Sequence, residues 1–548
     1  VVVARASSMC SRLQNAALGP LAFFSAYKKT SNRDDRASLN ETLHTTEELI
    51  QFHFDVLSTL LQQVVAQRAA HDTNSEKEAE TEGLLTTRFQ SKSMAIDEIS
   101  EVIHVPNLDN ITDVSQTNSD SENGADRLEA SLLSPDVKSQ LGLYIARIAD
   151  MYLGSNPFHN FSHASHVTFS AFQLLRRIVA RDIAGCRTPG GSSSNEKCHD
   201  DADPWKSLPF ELQESSDVLA SNSLAQFALI FSALIHDVDH RGVSNTQLAK
   251  ENPDVASKYQ FKSIAEQNSV DIAWELLEEE SFRDLRAAIF STKEERAHFR
   301  NMVVNVVLAT DICDPGLREF RERKWAKAFS SSDLEELAED ALLDDGLCQP
   351  SSPVEERSRK ASVVMDLIIQ AADISHTMQP FDVYLQWNER LYREMYNAYR
   401  KGRSQYNPSD GKWYQGELMF YDKHIIPLAS RLKDSGMFGQ VGDTLLENAQ
   451  ENRTDWEIQG LELAAKMHAE TERRFHLVTD NEESLSPARR CRIWPSFLCC
   501  RSRRTLLAKG KRSQSQPDRE ESETDDESDD ESSIDQSCLL GSSRVKAS

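Results

Sequence analysis

The sequence predicts an all-α fold, a compact multi-helix domain with disordered flanks, and three observations carry that expectation. Between about residues 128 and 478, apolar residues recur with helical period in segment after segment, as at 141–152, 264–278 and 363–372. Strand-like alternation is scarce over the same span. Of the 548 residues only 39% are hydrophobic while 27% are charged, so a packed core has to concentrate in part of the chain.

The elements follow in chain order. Residues 1–40 show no strong periodicity. A helix is predicted over 45–67, where Ile50, Phe54, Leu57, Leu61 and Val64 recur at steps of four and three, a coiled-coil-like seam of about two heptads. Such a seam serves either a homodimer through helix 45–67 or packing on its own chain, and the sequence leaves both open. The N-terminal segment is drawn as 1–90, with a polar linker from about residue 69. Residues 91–127 form a second linker with an apolar island at 94–106, and the main domain spans 128–478. Inside it, 184–221 carries the run GGSSSNEKCHDDADP and is expected to be an exposed loop, with a second loop at 330–356. The tail, 479–548, is expected to be disordered. It holds a basic patch with Cys, Trp and Phe at 489–504 and then an acidic stretch at 518–535.

Charge and cysteine usage narrow the function classes. A net charge of −26 argues against nucleic-acid binding by the chain as a whole. The nine cysteines show neither paired zinc spacing nor a disulfide framework, which fits a reducing, cytoplasmic setting. Cys313, in an apolar run, reads as a buried free thiol. No apolar run has the length of a membrane span, and the nearest, 224–235, stops at His236 and Asp237. No signal peptide is visible, but the chain opens on Val1 rather than Met, which leaves an upstream segment open.

Four constellations carry chemistry. The first is His159-Asn-Phe-Ser-His163, with His166 three residues on. On a helix, His159 and His163 would face one way, one turn apart. The second is His236-Asp237-Val-Asp239-His240, directly after the apolar run. Burying a His–Asp pair is costly unless a metal or an ion pair offsets it, and on a continuing helix His240 would share the face of His236. The third is Thr310-Asp311 after Leu308-Ala, and the fourth is Ala371-Ala-Asp373-Ile-Ser-His376. Singly, each has a plainer reading as core histidines, a buried ion pair, helix caps or solvated turns. Together, His163, His236, Asp237 and Asp373 supply nitrogen and oxygen ligands without a thiolate. That set suits Zn²⁺, Mn²⁺, Mg²⁺ or Fe in a hydrolytic site.

The ordered set H-N-x-x-H, H-D-x-D-H with G-x-S-N, A-T-D and A-D-I-S resembles the catalytic domain of class I 3′,5′-cyclic-nucleotide phosphodiesterases, within the HD-type metal phosphohydrolases, over about 300 residues. The resemblance implies two divalent metal ions, Zn²⁺ and Mg²⁺ as the family usually has them, with Mn²⁺ an alternative. His163, His236, Asp237 and Asp373 would hold the first, and Asp237 would bridge to the second. His159 would be the general acid, oriented by Glu394. His240, Asn245, Thr310 and Asp311 would form the supporting shell, with Glu266 near the second metal. The implied reaction is hydrolysis of cyclic AMP, cyclic GMP or both to the 5′-nucleotide, in cyclic-nucleotide signalling. A hydroxide between the cations would attack, and His159 would protonate the departing 3′ oxygen.

For the base, the resemblance implies that Leu391 and Phe420 sandwich the purine, while Glu417 stands where the family has a glutamine. An ionised carboxylate only accepts hydrogen bonds. A charged Glu417 is therefore expected to repel adenine N1 and to favour the N1–H of guanine, a lean to cyclic GMP. Two further departures, Gln267-Asn268-Ser269 and His376, remove no metal ligand and touch its surroundings. Outside the domain, 489–504 is a candidate membrane-surface contact or a plain basic segment.

Overall fold

The computed structural model describes residues 45–75, 94–100, 132–185, 219–329 and 353–484. Its described part is helical, without a strand. At its centre lies α4, Ser223–Ile235, which follows α1 (Thr46–Ser75), α2 (Pro135–Met151) and α3 (Phe161–Gly185). The sequence of α4, SLAQFALIFSALI, is apolar almost all round, and it is buried from Leu224 to Ile235, as a helix surrounded by other helices must be. Asn222 starts it, accepting from the backbone N–H of Ala225 at 2.8 Å. α1, α3 and α9 (Lys293–Leu308) pack around α4. Between α4 and α9 run α5 (Asn245–Glu251), α6 (Pro253–Lys258), α7 (Ile264–Leu277) and α8 (Arg283–Ile289).

After α10 (Pro315–Phe329), helix α11 (Pro353–Asp373) packs along α3. α12 (Phe381–Arg400), α13 (Lys412–Phe420), a π-helical turn at Tyr421–Ile425 and α14 (Ile426–Asp434) complete that half. The long α15, Gln440–Ser484, then packs along α12, α13 and α14. The ends of α4 and α11, the start of α3 and the middle of α12 thereby meet at one place.

The seam of α1 is occupied by its own chain. Leu57, Leu61 and Val64 are buried and belong to the single large core, with α1 against α2 and α4. Ile50 and Phe54 of the same seam are half-buried against that core. The helix also runs to Ser75, beyond the expected end at residue 67, because no Gly or Pro stops it. Arg68 anchors this end by donating to the carbonyls of Ala288 and Ile289, where α8 leaves carbonyls without helical partners. The apolar island is docked as well. A short turn, Ala95–Glu98, buries Ala95, and the N–H of Ile96 donates to Gln267 on α7 at 3.2 Å. Cys313 is buried, as expected, and forms no disulfide among the described residues. The loop expected at 184–221 and the tail patch at 489–504 lie outside the described residues, apart from a few helical residues at the edges of the loop. Of 330–356, the described part is the start of α11. No described helix is long and apolar enough to cross a membrane.

One buried charge pair ties α10 to α11: Lys324 Nζ lies 2.6 Å from Asp366 Oδ2, with side chains 1% and 9% exposed. Removing one partner leaves the other charged and dry. Lys324→Met is expected to destabilise by about 3–5 kcal/mol, while the double change with Asp366→Leu recovers most of that loss. Equilibrium urea unfolding of the three variants checks this, and equal losses in the single and double variants would count against it.

Candidate active site and metal centre

The first histidine motif straddles a helix start instead of lying within a helix. α3 begins at Phe161, so His159 sits on the bend before it and does not share a helical face with His163. Asn160 starts the helix by accepting from the N–H groups of Ser162 and His163 at 2.9 and 3.2 Å. The rings of His159 and His163 are edge-on, 5.8 Å apart. The second motif is likewise a turn. α4 ends at Ile235, and Asp239 adopts φ 64°. This left-handed residue swings the chain back, so His240 faces His159, with ring centroids 3.9 Å apart, instead of extending the face of His236.

Four ligand-type atoms converge at the core end of the site. His163 Nε2 is 3.1 Å from Asp373 Oδ1 and 3.6 Å from Asp237 Oδ2, and His236 Nε2 is 3.3 Å from Asp237 Oδ2 and 3.5 Å from Asp373 Oδ1. Both imidazoles are buried, with 1% of the side chain exposed. Each side chain comes from the end of a different helix or motif: α3, α4 and its turn, and α11. His236 Nδ1 lies 3.0 Å from the carbonyl of Ala233. With Nδ1 turned to that carbonyl, Nε2, which has no hydrogen-bond partner among the described residues, is aimed towards the carboxylates, where it would give its lone pair to a bound cation. This is how metal-binding histidines are oriented. The cluster attracts positive charge. Burial penalises a charged His236, yet Asp237 and Asp373 hold it well above its ordinary value, and burial of Asp237 is likewise outweighed by His236, which holds it well below. His163, His236 and Asp237 bring ligand atoms within 4.8 Å of one another, and with Asp373 beside both imidazoles and the orphaned His236 nitrogen the set fits a divalent cation.

Beside this cluster lies a second, more open one. Glu394, on α12, accepts from the backbone N–H groups of Phe158 and His159 at 2.9 and 3.0 Å through Oε2. Its Oε1 lies 2.5 Å from His159 Nδ1. Burial alone would lower the His159 value, but Glu394, then Asp237 and Asp373, outweigh it and lift it to about 9. Burial of Glu394 is similarly outweighed by His159, which brings the carboxyl down to about 2. His240 has the opposite fate: burial and the neighbouring His159 push it down to about 4. A cleft lined by His159, His240, Gly242, Gln247, Leu391, Glu394 and Met395 opens on this pair.

The surrounding residues divide into three groups. Asn245 and Glu266 meet, with Asn245 Nδ2 donating to Glu266 Oε2 at 3.1 Å. Burial, then Asp311 and less strongly Asp237, raise the Glu266 carboxyl well above its ordinary value. Asp311 is buried but also ties a turn, accepting from the N–H groups of Cys313 and Asp314 and from Ser263 Oγ. Thr310 donates to its own helix, at Val307. The base-end residues fall elsewhere: Leu391 lines the cleft, whereas Glu417 and Phe420 do not. Both are buried, Phe420 beside His424 with ring centroids 5.5 Å apart. Glu417 Oε2 accepts from the hydroxyl of Tyr384 at 2.6 Å. Burial pushes its carboxyl up to about 7, so the ionised state assumed from the sequence holds only above neutrality.

Several working residues carry no ligand signature. Asn156 donates to the carbonyls of His159 and His240 at 3.0 and 2.8 Å, tying the two motifs together. Its only signal in the sequence is an Asn-Pro turn dipeptide. Ser269, noted only as a departure, donates to the carbonyl of Val238 and so braces the turn after Asp237. Gly242 is required where it stands. Its φ is +65°, and an added Cβ would lie 3.2 Å from Asn156 Oδ1 and 3.5 Å from Glu394 Cδ. Gly242→Ala is therefore expected to cost about 1–2 kcal/mol of stability and roughly tenfold in kcat through a displaced Asn156, which ties the His159 and His240 carbonyls together. Unchanged kcat beside a lowered Tm would separate backbone strain from positioning.

Comparison with known proteins bears on the same stretch. The family profile for 3′5′-cyclic nucleotide phosphodiesterase matches residues 158–437, just over half of the chain, and takes in each histidine and aspartate of both clusters. A probable 3′,5′-cyclic-AMP phosphodiesterase, pde-4 of Caenorhabditis elegans, is 25% identical over 259 residues, covering 47% of this chain and 30% of that protein. The probable 3′,5′-cyclic phosphodiesterase pde-1 of the same organism is 28% identical over 248 residues, covering 45% and 32%. This chain thus spans about a third of the length of these relatives. Among solved structures, the phosphodiesterase domain of the RhoPDE fusion protein from the choanoflagellate Salpingoeca rosetta aligns with a TM-score of 0.40 at 18% identity, over 62% of this chain and 86% of that one. On the strength of the profile match, this chain belongs to the 3′5′-cyclic nucleotide phosphodiesterase family.

Proposed function

We propose that the chain hydrolyses 3′,5′-cyclic nucleotides to 5′-nucleotides. The observation that supports this most directly is the adjacency of a proton donor and a cation-attracting cluster. His159, lifted to about 9 and held by Glu394, stands one bend from the ligand set His163, His236, Asp237 and Asp373. Those four residues would hold a divalent cation of the Zn²⁺ type, and Asp237 would be shared with a second of the Mg²⁺ type near Glu266, with Mn²⁺ an alternative. When bound, such ions lower the pKa of water and offset charge on a phosphoryl group.

The chain's own residues do the rest. Glu394 keeps His159 protonated through Nδ1, so Nε2 can carry the proton that the departing 3′ oxygen needs. His240, neutral near pH 7, adds a second imidazole without competing for positive charge. Asn245, Glu266, Thr310 and Asp311 support the ligand loops. Leu391, which lines the cleft, would provide an apolar wall for the nucleoside, while for Phe420 and Glu417, which do not line it, a part at the base end rests on the resemblance alone. The names of the two nematode relatives support a cyclic nucleotide as the substrate class. The test is release of 5′-nucleotide from cyclic AMP and cyclic GMP by the full chain with Mg²⁺, against a chelator control. Metal-dependent turnover is expected. A folded, metal-loaded chain inert on both, but active on linear nucleotides or merely binding cyclic ones, would replace this function.

A further inference from the structure

Residues 94–100 precede α2 in sequence, yet they dock on α7 and α9. Ala95 is buried, and Ile96 and Ile99 pack against the core. Glu98 fixes one end of the segment. Its carboxylate accepts from Arg300 Nε at 2.9 Å, and its carbonyl accepts from Asn301 Nδ2 at 2.8 Å. The other end meets α7, where the N–H of Ile96 donates to Gln267 Oε1 at 3.2 Å.

Gln267 is fully buried and has a second partner, since its Nε2 donates to the carbonyl of Lys262 at 2.6 Å. A backbone N–H only donates and a carbonyl only accepts, so the two partners allow the amide one orientation. It bridges the docked segment and the turn 260–263. That turn is strained. Gln260, Phe261 and Ser263 have φ of 52°, 59° and 37°, left-handed values that residues with a Cβ keep only where the surroundings impose them. Two side-chain hydrogen bonds help to impose them: the one from Gln267, and the one from Ser263 Oγ to Asp311 Oδ2 at 2.7 Å.

The same turn opens α7, and the start of α7 holds the loops of the site. Asn245 accepts from the N–H of Ala265 at 2.9 Å and donates to Glu266. Asn268 Nδ2 lies 3.4 Å from Asp239 Oδ2, and Ser269 Oγ donates to the carbonyl of Val238. Both of those partners belong to the turn after Asp237. The placement of Glu266 and of that turn depends on how the start of α7 is held, and Gln267 ties this start to the docked segment.

Resting on the two-cation reading above, we propose that Gln267 is a positioning residue through which residues 94–100 set the affinity for the second, Mg²⁺-type cation. With the segment docked, the Gln267 amide has both anchors and the strained turn is held. With it undocked, one anchor is gone, the turn relaxes, and the second cation binds more weakly. The first cation is spared, because His163, His236 and Asp373 are carried on α3, at the end of α4 and on α11.

The experiment strips the full chain with chelator, gives it one equivalent of Zn²⁺ and titrates it with Mn²⁺, the free ion being read by electron paramagnetic resonance. Gln267→Leu keeps the volume and removes both hydrogen bonds, so Mn²⁺ affinity is expected to fall roughly tenfold, as when a group that braces metal ligands is lost. Glu98→Ala changes only the docked segment and should weaken Mn²⁺ by about fivefold. The double variant should bind no more weakly than Gln267→Leu alone, because both changes act through one amide. The Zn²⁺-induced rise in Tm should persist throughout, since a general loss of packing would not spare one cation and weaken the other. Coupling is reciprocal, so Mn²⁺ should also slow hydrogen exchange of residues 94–100 in the wild-type chain, and not in Gln267→Leu. Unchanged Mn²⁺ affinity in Glu98→Ala, losses that add in the double variant, or exchange indifferent to Mn²⁺ overturns the inference and leaves the proposed function standing. A wild-type chain that takes up no Mn²⁺ sinks the two-cation reading and the inference together. The expected binding pattern without turnover of any cyclic nucleotide overturns the function alone.

Discussion

Asp237→Ala is expected to abolish cyclic-nucleotide turnover and, independently, the effect of divalent cations on thermal stability. Asp237 Oδ2 lies 3.3 Å from His236 Nε2 and 3.6 Å from His163 Nε2. It is the one carboxylate proposed to touch both cations, so no neighbour can replace it. Activity should fall by at least about a thousandfold. The stability readout does not depend on activity. Adding Zn²⁺ to chelator-treated wild-type chain should raise Tm, because a ligand bound only by the folded state contributes about 4 kcal/mol at a thousandfold excess over Kd. The variant should lose most of that shift. An equal cation-induced shift in Asp237→Ala would remove the residue from the metal centre, whatever the activity did.

His159→Ala should act on chemistry and leave the cation-induced shift intact. Loss of a positioned general acid is expected to lower kcat by about 10²–10⁴-fold. Glu394→Gln gives the finer test. Its charge and hydrogen bond are what lift His159 to about 9 against the effect of burial. A neutral glutamine withdraws that support, and burial then pulls the imidazole down. The acid works only while protonated, so the alkaline limb of the kcat profile should move to lower pH in Glu394→Gln. A limb that stays in place would mean that another group donates the proton.

The parts of this site that were legible in the sequence are those set by residue type and order. The types and order of His163, His236, Asp237 and Asp373 single them out as a set, and each of the two imidazoles lies within 3.6 Å of both carboxylates. The apolar run before His236 did form a buried helix that delivers the pair to the site. Local backbone reversals were less legible. Helical spacing put His159 beside His163 and His240 beside His236, but the helix starts at Phe161 and Asp239 turns left-handed. The result pairs His159 with His240 instead. No periodicity encodes that exchange, because it depends on Asn156 binding both carbonyls across the turn.

The state of Glu417 was illegible for a different reason. Its charge depends on burial and on Tyr384, thirty-three residues away in sequence. The destination of α1 was open for the same kind of reason: a two-heptad seam fits a second copy or its own core equally well, and only the rest of the fold decides.

That destination has a consequence for biosynthesis. α1 is the first described helix to leave the ribosome, yet α4, which covers its apolar side, ends at Ile235. At roughly 5–20 residues per second, the interval is on the order of ten seconds. Throughout it Leu57, Leu61 and Val64 have no native partner on α4, far longer than a helix needs to form. The nascent chain thus offers chaperones an apolar strip during synthesis that the finished enzyme has buried.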